Sequence, residues 1–134
     1  MYIKRHEQSR VSKILDSGLV AILYGARQVG KTTLAKEIAK DYTNSLYLNC
    51  DDPNIVISLM KKSAIELKSY IGNADLVVID EGQRVENIGI TIKLLHDTYP
   101  NVGILVTGSS SLDLANKITE PLTGRSEEVI LYPL

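Results

Sequence analysis

Gly25-Ala26-Arg27-Gln28-Val29-Gly30-Lys31-Thr32 fits the pattern G-x-x-x-x-G-K-[ST], the phosphate-binding loop of nucleoside triphosphatases. The chemistry dictates the residue types. A triphosphate brings several negative charges out of water, and backbone N–H groups can replace that water only where no side chain intervenes. Gly25 and Gly30 allow the close approach. Lys31 can reach the β- and γ-phosphates as a mobile point charge, and the Thr32 hydroxyl can ligate Mg²⁺. A helix starting at Lys31 would turn its positive dipole end toward the phosphates. The flanks agree. Leu19-Val20-Ala21-Ile22-Leu23-Tyr24 reads as a buried strand, and Leu34, Ala35, Ile38, Ala39 and Tyr42 are apolar at helical spacing. That predicts a helix over 31–41.

Upstream, Val11, Ile14 and Leu15 share one helical face within 7–17, and Gly18 is placed as the stop. Downstream, a short strand is expected at 46–50. Asp52-Pro53 suits a helix start, and Ser63-Ala64-Ile65-Glu66 reads as a capping box opening a helix to Ile71. Leu76-Val77-Val78-Ile79 is a buried strand. Ile88, Ile92, Leu95 and Tyr99 predict a helix over 87–99, Val102–Val106 a strand, Leu112 to about Ile118 a short helix, and 128–132 a last strand. Strands that alternate with helices and read apolar throughout predict an α/β fold: a parallel sheet covered on both faces, in three α/β/α layers.

Composition narrows the function classes. At 134 residues the chain is one domain by size, and 44% hydrophobic content is globular. A net charge of −1 gives no field that seeks polyanions, so nucleic acid is not indicated by charge, although a local patch is left open. The apolar runs are strand-length, well short of the about 20 residues of a membrane span. The basic start has no apolar segment behind it, so no secretory signal is visible and a cytoplasmic protein is expected. The single cysteine, Cys50, cannot form an internal disulfide, and its place at the end of a β-like run favours a structural residue over a reactive one. His6 and His96 have no partners at metal-ligand spacing. The chain closes on the apolar run Val129–Leu134 without a polar tail, which suggests a domain of a longer protein.

In an open α/β sheet, ligands bind outside the carboxyl ends of the strands. Asp80, Glu81 and Thr107–Ser111 fall there by position, on the edge that carries the loop. Asp80 can hold Mg²⁺ through a water, and Glu81 can accept a proton from the attacking water or orient it. The bland alternative is a polar strand end with a helix cap. Gln83 can orient water or substrate, or be a surface-loop residue. Ser109 can sense the γ-phosphate, with Thr107 the alternate, or belong to an ordinary turn. Arg125 is either a solvated charge or a finger that a neighbouring subunit's nucleotide receives, which would require a homo-oligomer. A dinucleotide oxidoreductase is excluded by the missing G-x-G-x-x-G. A small-molecule kinase would bring an arginine-rich lid, which is not seen. Hydrolysis coupled to conformational change leads, and a nucleotide-dependent switch is the alternative.

Several stretches run in the order of one known group: Gly25–Leu34, Leu48-Asn49-Cys50-Asp51-Asp52, Ile79-Asp80-Glu81 with Gln83, Thr107–Ser111, and Leu122-Thr123-Gly124-Arg125 with Leu131-Tyr132-Pro133-Leu134. The chain resembles the prokaryotic AAA-type ATPases whose P-loop reads G-x-R-Q-V-G-K-T-T-L. The resemblance implies a P-loop NTPase core with a five-stranded parallel sheet ordered 5-1-4-3-2. It implies that Gly25, Arg27, Gln28, Val29, Gly30, Lys31, Thr32 and Thr33 cradle ATP and that Thr32 and Asp80 hold Mg²⁺. Glu81 would then be the base, Ser109 the sensor, and Arg125 the finger in trans. Two departures follow. Gly82 stands where that family usually has a bulky apolar residue, which predicts a looser Glu81. Such proteins also continue into a helical lid and a C-terminal domain, so this core is expected to bind weakly and turn over slowly.

Overall fold

The computed structural model of the chain describes residues 5–25, 30–60, 62–109, 118 and 120–132. Its strands are β1 (Val20–Gly25), β2 (Ser45–Asn49), β3 (Leu76–Asp80), β4 (Gly103–Gly108) and β5 (Ser126–Leu131), all parallel, in the order β2-β3-β4-β1-β5. Read from the other edge, that is the expected 5-1-4-3-2. The helices are α1 (Arg5–Asp16), α2 (Lys31–Ala39), α3 (Pro53–Leu59), α4 (Ala64–Ile71) and α5 (Ile88–Thr98).

Alternate residues of β1, β3 and β4 feed two separate cores. Val77 and Ile79 of β3 join Ile22, Ile104 and Val106 beneath Leu59 of α3, Leu67 and Ile71 of α4, and Ile88, Ile92 and Leu95 of α5. Leu76 and Val78 join Ala21, Leu23 and Leu105 beneath Val11, Ile14 and Leu15 of α1 and Leu34, Ala35 and Ile38 of α2. Among the described residues, two helices on one face and three on the other make the three layers.

The expectation that every strand reads apolar holds for β1, β3 and β4 and fails at both edges. An edge strand has one open flank and only partial cover, so its pattern turns to alternation. In β5, Val129 and Leu131 are buried while Ile130 is 44% exposed, and Tyr132 just beyond is 66% exposed. In β2 only Leu48 is buried.

Local signals set the helix ends. The Asp52 carboxylate accepts from the Asn54 amide at 2.9 Å, with Pro53 at the first helical position. The capping box at α4 is complete: the Glu66 amide donates to Ser63 Oγ at 3.1 Å and the Ser63 amide to Glu66 Oε1 at 2.9 Å. The helix predicted over 31–41 stops at Ala39, and Tyr42 packs on the α1–α2 core from beyond its end. The short helix predicted from Leu112 lies outside the described residues. Among the described residues, no helix is long and apolar enough to cross a membrane.

Candidate functional site

Parallel strands bring their carboxyl ends to one edge, so Gly25, Asp80 and Gly108 leave the sheet together. Gly30 precedes α2 at φ 90°, ψ 20°, a left-handed conformation that a side chain resists, and its carbonyl accepts from the Leu34 amide at 2.9 Å. Helix α2 thus begins at Lys31, as the loop motif requires. Arg27, Gln28 and Val29 lie outside the described residues.

Asp80 and Glu81 face different partners. Residues paired across parallel strands share a face, and Val78, two residues before Asp80, belongs to the α1–α2 core. The Asp80 carboxylate therefore turns toward α2. Thr32 Oγ1 donates to its Oδ2 at 2.9 Å, joining the loop helix to the end of β3. The Tyr47 hydroxyl also donates to Oδ2, and the Thr107 hydroxyl donates to Oδ1. Asp80 is 3% exposed and Thr107 is fully buried.

Glu81 is held in the left-handed region at φ 58°, ψ 45°, uncommon for a residue with a long side chain. Its amide donates to Thr107 Oγ1 at 3.1 Å. Its Oε1 accepts from Ser109 Oγ at 2.8 Å and from Gln83 Nε2 at 2.7 Å. Its Oε2 lies 3.6 Å from the Lys31 ammonium, whose side chain is 2% exposed. Lys31, Thr32, Asp80, Glu81, Gln83, Thr107 and Ser109 are thus brought together. Gln83 Nε2 also donates to Ser109 Oγ at 3.3 Å, so its side chain is turned into this cluster. The side chain of Thr33 enters no hydrogen bond described for the site.

Gly82 corrects the expectation of a loosely held Glu81. A Cβ built at Gly82 would stand 2.6 Å from Val106 Cγ2 and 3.4 Å from Ile79 Cγ2. The absence of a side chain lets β3 and β4 carry Glu81 close to Thr107 and Ser109. Gly82 is not at a positive φ, so the constraint is steric. Gly82→Ala is expected to destabilise the fold by about 1–3 kcal/mol through overpacking, read from urea denaturation. An unchanged midpoint would remove the steric account.

Arg125 is not brought to the site of its own chain. Its carbonyl accepts from the Val20 amide at 2.8 Å, which places it at the amino ends of β1 and β5. There its Nε donates to Asp97 Oδ1 at 2.8 Å. Cys50 is buried beside the site, and burial, with Asp80 adding repulsion, pushes its thiol up to about 12. It stays protonated and structural, as its sequence position suggested. Tyr47 is the residue that sequence reasoning missed. Burial first, then its bond to Asp80, raises its phenol well above the ordinary value.

Comparison with known proteins agrees with this fold. A family model described as an AAA domain matches residues 17–134. Two uncharacterized proteins, from Mycobacterium tuberculosis and Mycobacterium bovis, are each 30% identical over 132 residues, 98% of this chain and 29% of theirs. The chain therefore spans under a third of the length of these curated relatives. Among solved structures, the Walker-type ATPase of Pyrococcus abyssi is similar at TM-score 0.73 and 17% identity, over 100% of this chain and 54% of that one. The Aeropyrum pernix ORC1 protein in complex with DNA is similar at TM-score 0.68 and 15% identity, over 100% and 46%. At such identities these two likenesses establish a shared fold, that of the P-loop NTPases.

Proposed function

The chain belongs to the AAA domain family, and on that premise we propose that it binds ATP with Mg²⁺ and hydrolyses it, coupling the reaction to conformational change in another domain or a partner. The observation that carries the reading is the convergence at one sheet edge of the Lys31 ammonium, the Thr32–Asp80 pair and the restrained Glu81 carboxylate.

The donor set fits Mg²⁺. That ion takes hard oxygen ligands, keeps several waters, and needs only one or two protein groups beside the phosphates. Thr32 Oγ1 and Asp80 Oδ2 lie 2.9 Å apart and supply such oxygens. Among the described residues no cluster of three or more His, Cys, Asp and Glu suggests a different metal. Bound there, Mg²⁺ would neutralise charge on the phosphates as the transferred group departs.

The remaining roles fall to the chain's own groups. Lys31 turns from Glu81 to the β- and γ-phosphates, which releases Oε2. Glu81 then accepts the proton of a water that attacks the γ-phosphorus, while the bond to the β–γ bridging oxygen breaks and ADP leaves. Ser109 and Gln83 keep Glu81 aimed. On this reading Arg125, which in its own chain pairs with Asp97 away from the site, acts on the nucleotide of a neighbouring copy in a homo-oligomer.

A single-turnover assay with γ-labelled ATP tests the proposal. Release of labelled phosphate that requires Mg²⁺ is the expected result. Tight ATP binding with no release over many hours would replace the hydrolase by a nucleotide-dependent switch.

A further inference from the structure

We propose that Tyr47 is a positioning residue of the metal site, its hydroxyl fixing from the edge strand β2 the Asp80 carboxylate that receives Mg²⁺. The inference rests on the reading of the site given above.

Tyr47 is 37% exposed, so water could satisfy its hydroxyl without any protein partner. The hydroxyl is instead turned inward onto Asp80 Oδ2, an oxygen that already accepts from Thr32 at 2.9 Å. Register explains the reach. Tyr47 pairs with Val78, and Asn49 with Asp80, so Tyr47 shares the face of Asp80 but stands two residues short of it, about 6.6 Å back along the strand. A serine or threonine hydroxyl would fall short of the carboxylate from there; a phenol spans the gap.

The carboxylate is thereby held from three directions. Thr107 approaches from β4, Thr32 from α2, and Tyr47 from β2. Thr107 is fully buried, whereas Thr32 stands exposed at the start of α2. Tyr47 holds the carboxylate from the side of the edge strand. Its ring is tied in turn to α2, the Lys36 ammonium lying 5.1 Å from the ring centroid. The strand that flanks the metal carboxylate and the helix that supplies Thr32 are thus linked through one side chain. Groups that orient a metal's ligands set its affinity nearly as firmly as the ligands do.

Tyr47→Phe keeps the ring and its contact with Lys36 and removes only the hydroxyl. The affinity of the chain for a fluorescent ATP analogue is measured across a Mg²⁺ titration and again in EDTA, beside a thermal melt. The Mg²⁺ concentration at half effect is expected to rise roughly tenfold, with affinity in EDTA and the melting temperature unchanged. A Mg²⁺ requirement equal to or below that of the unaltered chain would overturn the proposal. So would a loss of affinity of the same size in EDTA, which would make Tyr47 a general support of the pocket. Binding by the unaltered chain that ignores Mg²⁺ altogether would instead sink the reading of the site, and is seen before any variant is made.

Discussion

Lys31→Ala is expected to abolish ATP binding, lowering affinity by on the order of 100-fold or more. The magnitude follows from what the ammonium does. Its side chain is 2% exposed and lies 3.6 Å from Glu81 Oε2, beside the end of β3. Truncating one member of a buried charged pair costs about 2–5 kcal/mol, and each 1.4 kcal/mol is about tenfold in affinity. With the lysine gone, the polyphosphate would enter a site that presents, among the described residues, the carboxylates of Asp80 and Glu81. Repulsion then adds to lost attraction. The fold should survive, because Glu81 keeps its bonds from Ser109 and Gln83 and Lys31, though buried, belongs to neither apolar core. Isothermal titration with ATP and Mg²⁺ measures the loss, and a thermal melt checks the fold. Affinity within threefold of the unaltered chain would contradict the assignment of the loop.

The centre of this molecule was legible in its sequence for a physical reason. Strands β1, β3 and β4 are covered on both faces, so Leu76-Val77-Val78-Ile79 and its counterparts are continuous apolar runs that announce themselves. Motif residues tied to one local geometry were equally plain: Gly30 before α2, and Asp52 and Ser63 at their helix starts. The edges were less plain. The run from Val129 to Tyr132 is uniformly apolar on paper, yet Ile130 and Tyr132 face outward, because hydropathy does not say which flank of a strand lacks a neighbour. Tyr47 was the hardest to see. Nothing in Leu46-Tyr47-Leu48 distinguishes a tyrosine on a carboxylate from one on solvent. The signal existed only in combination: the expected order puts β2 beside β3, and aligning Asn49 with Asp80 puts Tyr47 on the carboxylate's face. Gly82 misled in the opposite sense, since the missing side chain looked like slack and is a close contact with Val106.

Glu81→Gln should leave ATP bound and slow its hydrolysis by about 10²–10⁴-fold, the usual contribution of a positioned base. The substitution is nearly isosteric, and the hydrogen bonds select its orientation. Oε1 accepts from both Ser109 and Gln83, so the amide oxygen should take that place and the NH₂ group the place of Oε2. That NH₂ then faces the Lys31 ammonium, donor against donor, where the native carboxylate attracted it at 3.6 Å. Lys31 loses its ion pair with Glu81 and has less to give up when it turns to phosphate. ATP affinity is accordingly expected to equal or exceed that of the native chain, even as turnover falls. This opposite movement of binding and rate separates a base from a structural carboxylate: a merely structural Glu81 would lose both together when altered. Single-turnover phosphate release and equilibrium titration on the same preparation read the two quantities. Turnover unchanged by the substitution would mean that Glu81 does not activate water, and the chain would then be better described as a switch that ATP sets and another protein resets.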